Sequence, residues 1–416
     1  MPTDTAIKIT GQRNASRLVA ASDADVYNRL RADYLCDGTA DNTQIQAAID
    51  ALPAGGGSVM LTEGTYTLAA GLSIPASVTL EGQGFGTILN FGGASSTYGF
   101  SLAGSNACLK NLKAVILAGA GSAGARPNVV SAQSGQYNII EHLWLIGDKT
   151  VGDDASLSRQ NGIILRATNS KIINCIIENN MQCGIHIQTG IRNDISGNLC
   201  KDNTKDGIFL RIASVGNVLV HNICESNDLY GIHCWDLTKM NTITANRCYD
   251  NYHGIALFSS TKQVVSSNIC TDSGQGGIYV DSSSTDNQIS ANQCSDNGRG
   301  IQVYADRNSI VGNICVDNNW CGIFLYRASY CAVTGNAVYD TTSGDGILVT
   351  GDGTTNADYN TLTGNACTSN GGDGIEIAGG ANANKNIVLG NQLTGNSGTA
   401  LVDGGTLTNV AHNITA

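Results

Sequence analysis

The chain has only four prolines and 6% aromatic residues, and just 14% of its 416 residues are charged. Charge this sparse excludes a Glu- and Lys-rich helical bundle and a solvated disordered tail. Lys and Arg, 23 in all, are outnumbered by 34 Asp and Glu, and the net charge of −11 makes nucleic acid a poor partner. No uninterrupted apolar run reaches membrane-spanning length, so no membrane insertion is expected. The opening "MPTDTAIKITGQRNASRLVAAS" lacks a basic start followed by an apolar run, and no secretion signal is expected. Fourteen cysteines are present, yet none forms the C-x-x-C spacing of common metal sites. So many thiols fit folding in a reducing compartment, the cytoplasm.

What is plentiful is glycine, 51 residues, and it recurs at intervals. "GIHCWDLTKMNTITANRCYDN" is one copy of a phrase whose opening glycine falls at Gly162, Gly184, Gly207, Gly231, Gly254, Gly277, Gly300, Gly322, Gly346 and Gly374. A fixed period in this range means an array of stacked units. Within each copy apolar and polar residues alternate with period two, the signature of strands. The expected fold is all-β: a right-handed single-stranded parallel β-helix, a solenoid with a short N-terminal capping helix. A solenoid grows in one dimension, so the length is compatible with one body. The expected divisions are an N-terminal extension (1–31), a capping segment with the helix (32–57), irregular first turns (58–160) and regular repeats (161–416).

Stacking explains the recurring letters. Equivalent positions in successive turns lie about 4.8 Å apart, so the asparagines Asn174, Asn198, Asn222, Asn246, Asn268, Asn292, Asn313, Asn336, Asn365 and Asn391 are expected to form an amide ladder. Two residues on stand Cys200, Cys224, Cys248, Cys270, Cys294, Cys315 and Cys367, exchanged for Ile176, Val338 or Leu393 in other turns. Exchange with aliphatics marks an inward position filled by a small apolar thiol, with no metal expected there. A third column, Asp250, Asp272, Asp296, Asp317 and Asp340, is read as turn caps that accept backbone N–H bonds. The alternative is that these carboxylates share calcium; no other cofactor is expected.

Residues alternating with the inward Ile and Leu of the opening strand project outward. They gather most of the scarce aromatics on one stripe, Phe209, Trp235, Phe258, Tyr279, Tyr304, Phe324 and Tyr326, beside His186 and His233. A stripe of this kind marks an interaction surface. It suits sugar rings, which stack on π faces, and it equally suits a packed loop or neighbouring subunit. In the sugar reading, Arg211 binds a carboxylate, His233 exchanges a proton, and Asp236 or Asp281 orients it or acts as acid. A histidine on a strand face is otherwise structural or merely wet.

The segment with Asp37, Gly38, Asp41, an apolar helical pattern from Gln44 to Leu52 and "GGGSVMLTEGTYTL" resembles the opening of the pectate-lyase-like β-helix superfamily. With the later "GI…N…GN" turns the resemblance runs from about Ala32 onward. It implies the parallel β-helix of polysaccharide lyases, epimerases and phage tailspikes, and is specific for fold rather than activity. The paired-acid, Gly-His-Gly and Arg-Ile-Lys signatures of polygalacturonase-like hydrolases are absent as a set. "GDD" at Gly152, Asp153 and Asp154 supplies one adjacent acidic pair. The closing "TALVDGGTLTNVAHNITA" shows no cap comparable with the N-terminal helix, and an open rung invites association. The expected protein is thus a carbohydrate-engaging, tailspike-like β-helix of a virion or cell-surface assembly. It binds a polysaccharide, with depolymerisation of that polymer left open, and is a homo-oligomer, a trimer favoured. A polysaccharide lyase or glycosidase acting on an acidic polymer is the alternative, and a purely structural fibre module the third reading.

Overall fold

The computed structural model describes residues 15–92, 98–118, 128–149, 160–378 and 383–415. Each regular turn has three strands, as in Tyr230–Trp235, Thr242–Thr244 and Arg247–Tyr249. Each pairs in parallel with its equivalent one turn on: Ile232 with Ile255, Ile243 with Val265, Cys248 with Cys270. The first strands of the turns make a 14-stranded front sheet, from Leu72–Pro75 to Leu401–Asp403; the other two strands of each turn join in a continuous back sheet.

Helix α1 (Val26–Arg31) is capped by Asp25, which accepts from the backbone N–H groups of Tyr27 and Asn28. Helix α2 (Asn42–Asp50) buries Ile45, Ala48 and Ile49. It begins two residues before the expected Gln44 and ends before Leu52. Asp41, at its start, is fully buried because its carboxylate ties Gly38 N–H to Thr67 N–H, at 2.9 and 2.8 Å. Within the segment expected to be an extension, Ser16–Ala20 forms a strand paired with Gly57–Leu61, so the coil already begins there.

The core is a column of Ile, Leu, Val and Cys. Cys200, Cys224, Cys248, Cys270, Cys294 and Cys315 stack in register, fully buried, as free thiols. Burial holds the Cys224 thiol well above its ordinary value, so it is a packing group and not a nucleophile. Small size is required because a Cβ on Gly231 would stand 2.9 Å from the Cys248 sulfur and 2.5 Å from the Gly254 carbonyl oxygen. Glycine and thiol together let front and back sheets converge.

The asparagine ladder runs from Asn198 through Asn391 and on to Asn413. Asn246 is typical: its amide donates to Asn268 Oδ1, Leu219 O and Thr244 O, each at 3.0 Å, and its own Oδ1 receives the N–H and amide of Asn222. Asn174 does not belong to it. Cys175 occupies that place, donating its N–H to Asn198 Oδ1, and Ile177 rather than Ile176 aligns with Cys200. Two further ladders run along the other corners, one through Asn203 and Asn227, the other through Asn193, Asn217 and Asn241. The aspartates of the third column sit at φ of 52 to 58°. Their place in the turn is the left-handed residue, which Asp tolerates, rather than a cap on backbone N–H groups.

Candidate functional site

The front sheet carries the aromatic stripe, but as a packed wall. Rings from adjacent rungs meet face to face: His186 and Phe209 at 5.0 Å between centroids, Phe209 and His233 at 4.6 Å. Phe258 lies 5.2 Å from His233 and 5.1 Å from Tyr279. Tyr279 meets Tyr304 at 5.3 Å, and Tyr304 meets Tyr326 at 5.5 Å and Phe324 at 5.9 Å. Every aromatic position expected from sequence is therefore in one continuous run. Its inner column is not open to solvent as alternation alone implies: Phe209, His233 and Phe324 are buried beneath their neighbours. Trp235, 42% exposed, is the member that projects furthest, and the Arg211 guanidinium stacks 4.8 Å from its ring.

A second set of side chains lies on this face. The residue before each opening glycine also turns outward, and in successive rungs it is Cys183, Asp206, Tyr230, His253, Gly276, Arg299, Cys321, Asp345 and Asp373. Tyr230 stands edge-on to His233 at 4.5 Å and 5.7 Å from His253. The carboxylate beside His233 is Asp206, whose Oδ2 accepts from His233 Nδ1 at 3.1 Å and from the Cys183 thiol at 3.7 Å. Asp236 and Asp281 are placed elsewhere. Asp236 is a left-handed turn residue, and Asp281 holds its own turn by accepting from Ser259 N–H, Ser283 N–H and the Ser284 hydroxyl. The pre-glycine column was legible as a recurring offset, yet strict alternation assigns it to the inside. A local irregularity at the glycine turns it out.

Electrostatically the wall is poised rather than satisfied. The Asp206 carboxylate accepts from Nδ1 of His233, while His233 Nε2 is buried with no partner. His186 Nε2, Arg211 Nε, Arg299 Nε and Gln302 Nε2 are likewise buried and unpartnered. Burial, aided by Arg211, pushes His186 down to about 4, and burial pushes His253 down to about 4, so both are neutral at pH 7. Tyr279 is pushed up to about 12 by burial and stays a phenol. Buried polar atoms without partners are costly, and a row of them on one face marks where a polar ligand would be received.

Among the described residues one cluster brings three metal-ligating groups together: Asp345, Asp373 and Glu376, with carboxylate oxygens within 4.8 Å of one another. Burial raises Asp345 and Glu376 above their ordinary range. The column from Asp250 to Asp340 forms no such cluster among those residues. The acidic pair Asp153 and Asp154 lies outside the described residues.

An all-parallel coil of three strands per turn, with a glycine-opened rung and one aromatic, histidine-bearing face, defines a β-helix protein. The right-handed β-helix region model matches residues 237–368 and 306–415, and the model of a periplasmic copper-binding protein (NosD) matches 105–255. The chain folds as a right-handed parallel β-helix, the fold that these matches share. No curated protein sequence matches it. Among solved structures it is similar to the A-module of the mannuronan C-5 epimerase AlgE6 of Azotobacter vinelandii: 17% identity, 92% of this chain, 97% of that one, TM-score 0.53. It is similar to the DFA-IIIase of Arthrobacter chlorophenolicus: 12% identity, 83% of this chain, 93% of that one, TM-score 0.55. It is also similar to the pre-mature gene product 12 of bacteriophage phi29: 14% identity, 90% of this chain, 56% of that one, TM-score 0.62.

Proposed function

We propose that the front face binds a polysaccharide lying along the coil axis, and that His233, held by Asp206, exchanges a proton with it. The observation that carries this reading is the ring wall from His186 to Tyr326 combined with the unpartnered nitrogens of His186, Arg211, His233, Arg299 and Gln302. Sugar faces stack on rings while hydroxyls and acids need buried N–H groups and lone pairs. Trp235 and Tyr326 are the stacking platforms, Arg211 the cation for a sugar acid, His233 Nε2 the base, and Tyr230, edge-on to His233, the phenol that returns a proton. Burial, then Asp206, raises Tyr230, which keeps its proton available. Two neighbours sharing the fold are named for carbohydrate chemistry, a mannuronan epimerase and a DFA-IIIase, which supports the substrate class. The phage neighbour supports a setting in a virion or cell-surface assembly.

The test is incubation with a panel of acidic and neutral polysaccharides, following chain length, new unsaturated ends and sugar configuration. The expected result is change in one polymer, reduced about 10²–10⁴-fold in His233→Ala and substantially in Asp206→Asn. Binding without chemistry, lost in Trp235→Ala, would assign the face to adhesion. Neither binding nor chemistry with any polymer would sink the reading.

A further inference from the structure

Among the described residues two arginines have a buried Nε without a partner, Arg211 and Arg299, and each lies on a tryptophan. The first pair, Arg211 with Trp235, belongs to the face already described. The second stands at the opposite margin of the same sheet. The Arg299 guanidinium is 4.2 Å from the Trp320 ring and 5.6 Å from the Phe324 ring, and it makes no ion pair or hydrogen bond among the described residues. The chain has 34 acidic residues and a net charge of −11, yet no described carboxylate comes to this cation. The next acid in its outward column is Asp345, two rungs on and so about 10 Å away by strand spacing, and it sits with Asp373 and Glu376 instead.

The neighbours of Arg299 leave room on both sides. In register with it are Gly276 one rung before and Cys321 one rung after, the smallest side chains of that column. Gln302 reaches over the glycine: a Cβ on Gly276 would stand 2.3 Å from Gln302 Nε2 and 3.1 Å from His253 Nδ1. Gln302 is 2% exposed, its Oε1 accepts from the Tyr304 hydroxyl at 3.5 Å, and its Nε2 has no partner. A cationic donor and an amide donor thus lie side by side, backed by an indole and flanked by small residues. The acceptor that suits a guanidinium fork is a carboxylate, taken through parallel N–H bonds, and the half-exposed indole beside it suits the sugar ring that carries the acid.

We infer that Arg299, Gln302 and Trp320 form a second site for an acid-bearing sugar, and that one polymer occupies it together with the Arg211 and Trp235 site. The inference rests on the polysaccharide reading of the front face. Arg211 is aligned with Trp235 and Phe258, a column that reaches Tyr304 in the rung of Arg299. The two arginines are therefore four rungs apart along the coil, from the rung of Gly207 to that of Gly300, and five residues apart across it. At about 4.8 Å per rung and about 3.3 Å per residue they are separated by about 25 Å. The polymer leans across the sheet as it advances, over Phe258 and Tyr279, which lie between the two sites. A short oligomer fills one site; a stretch that spans both gains the second contact as an intramolecular event.

The experiment is calorimetric and fluorescence titration with oligogalacturonates and oligomannuronates in a length series from the disaccharide upward, and with malto-oligosaccharides as the neutral series. The parent's affinity for an acidic series should rise about 10²-fold once the oligomer exceeds about 25 Å, and the neutral series should show no such rise. In Trp320→Ala and in Arg299→Gln that rise should shrink at least tenfold. Ile314→Glu, on the outer surface of the back sheet, should keep it whole. Trp320 packs on Phe324, so each variant is checked by thermal melting, and Trp235→Phe supplies a reading with the second site intact: acidic oligomers should quench Trp320, while Trp144 lies on the back sheet under Lys113. A rise that persists in both variants, or an affinity for the acidic series that does not grow with length, would overturn the second site and leave the first standing. An equal rise in the neutral series would overturn the assignment to a sugar acid. No binding of any series at any length would remove the front-face reading itself, and this inference with it.

Discussion

The front and back faces of the coil are built on one ladder and have become opposites. On the front, residues 183–326 crowd rings, histidines and an acid onto a wall that leaves six buried nitrogens without partners. On the back, the rungs from Val264 to Thr394 carry hydroxyls and methyl groups and no charge. The inward-facing residues are nearly identical beneath both: Ile, Leu, Cys and the Asn corners repeat whatever lies outside. The lesson is that stability lives in the repeat and function in the columns that break it.

The largest effect should come from breaking the shared ladder. Asn246→Leu orphans Asn222 N–H and the Leu219 carbonyl, and with several buried groups at about 1–3 kcal/mol each the loss should reach about 4 kcal/mol in urea unfolding. An equal loss from Thr244→Ala, two residues earlier on the outside, would dissolve the distinction between ladder and face. That variant should instead stay within about 0.5 kcal/mol of the parent.

Acid should strike the front face next. His186 and His253 are held down to about 4 by burial, against an ordinary 6.5. The unfolded chain takes up these protons first as pH falls through 6.5, so folding loses stability between pH 6.5 and 4 and loses none of it above. From pH 7 to 5.5 the cost should be about 1 kcal/mol per histidine, read as a falling melting temperature. His186→Phe should flatten that slope by roughly half; an unchanged slope would place the acid sensitivity elsewhere. A comparable, purely steric effect is expected inside: Gly231→Ala pushes a methyl group against the Cys248 sulfur and should cost about 2 kcal/mol in urea unfolding.

How much of this was legible follows the same division. The period, the parallel coil, the thiol column and one Asn ladder could be read because inward positions repeat in type as well as spacing. The slip at Asn174 arose where a turn substitutes Cys175 for the ladder residue, so the letter remained while the place moved by one. The two other ladders were hidden because Ser170, Gln263, Ser273 and Cys331 interrupt them. Of the expected catalytic set, His233 and Arg211 are in the wall. Its acid, Asp206, escaped because a strand irregularity at the glycine reverses the parity that sequence alternation assumes.

The most direct measurement is calorimetric titration of the parent, Trp235→Ala and Ile314→Glu with each polysaccharide of the panel. The expected result is binding of one polymer by the parent, weakened at least tenfold, about 1.4 kcal/mol, in Trp235→Ala and unchanged per chain in Ile314→Glu. Binding that is indifferent to Trp235 but lost with Ile314 would contradict the assignment of the two faces.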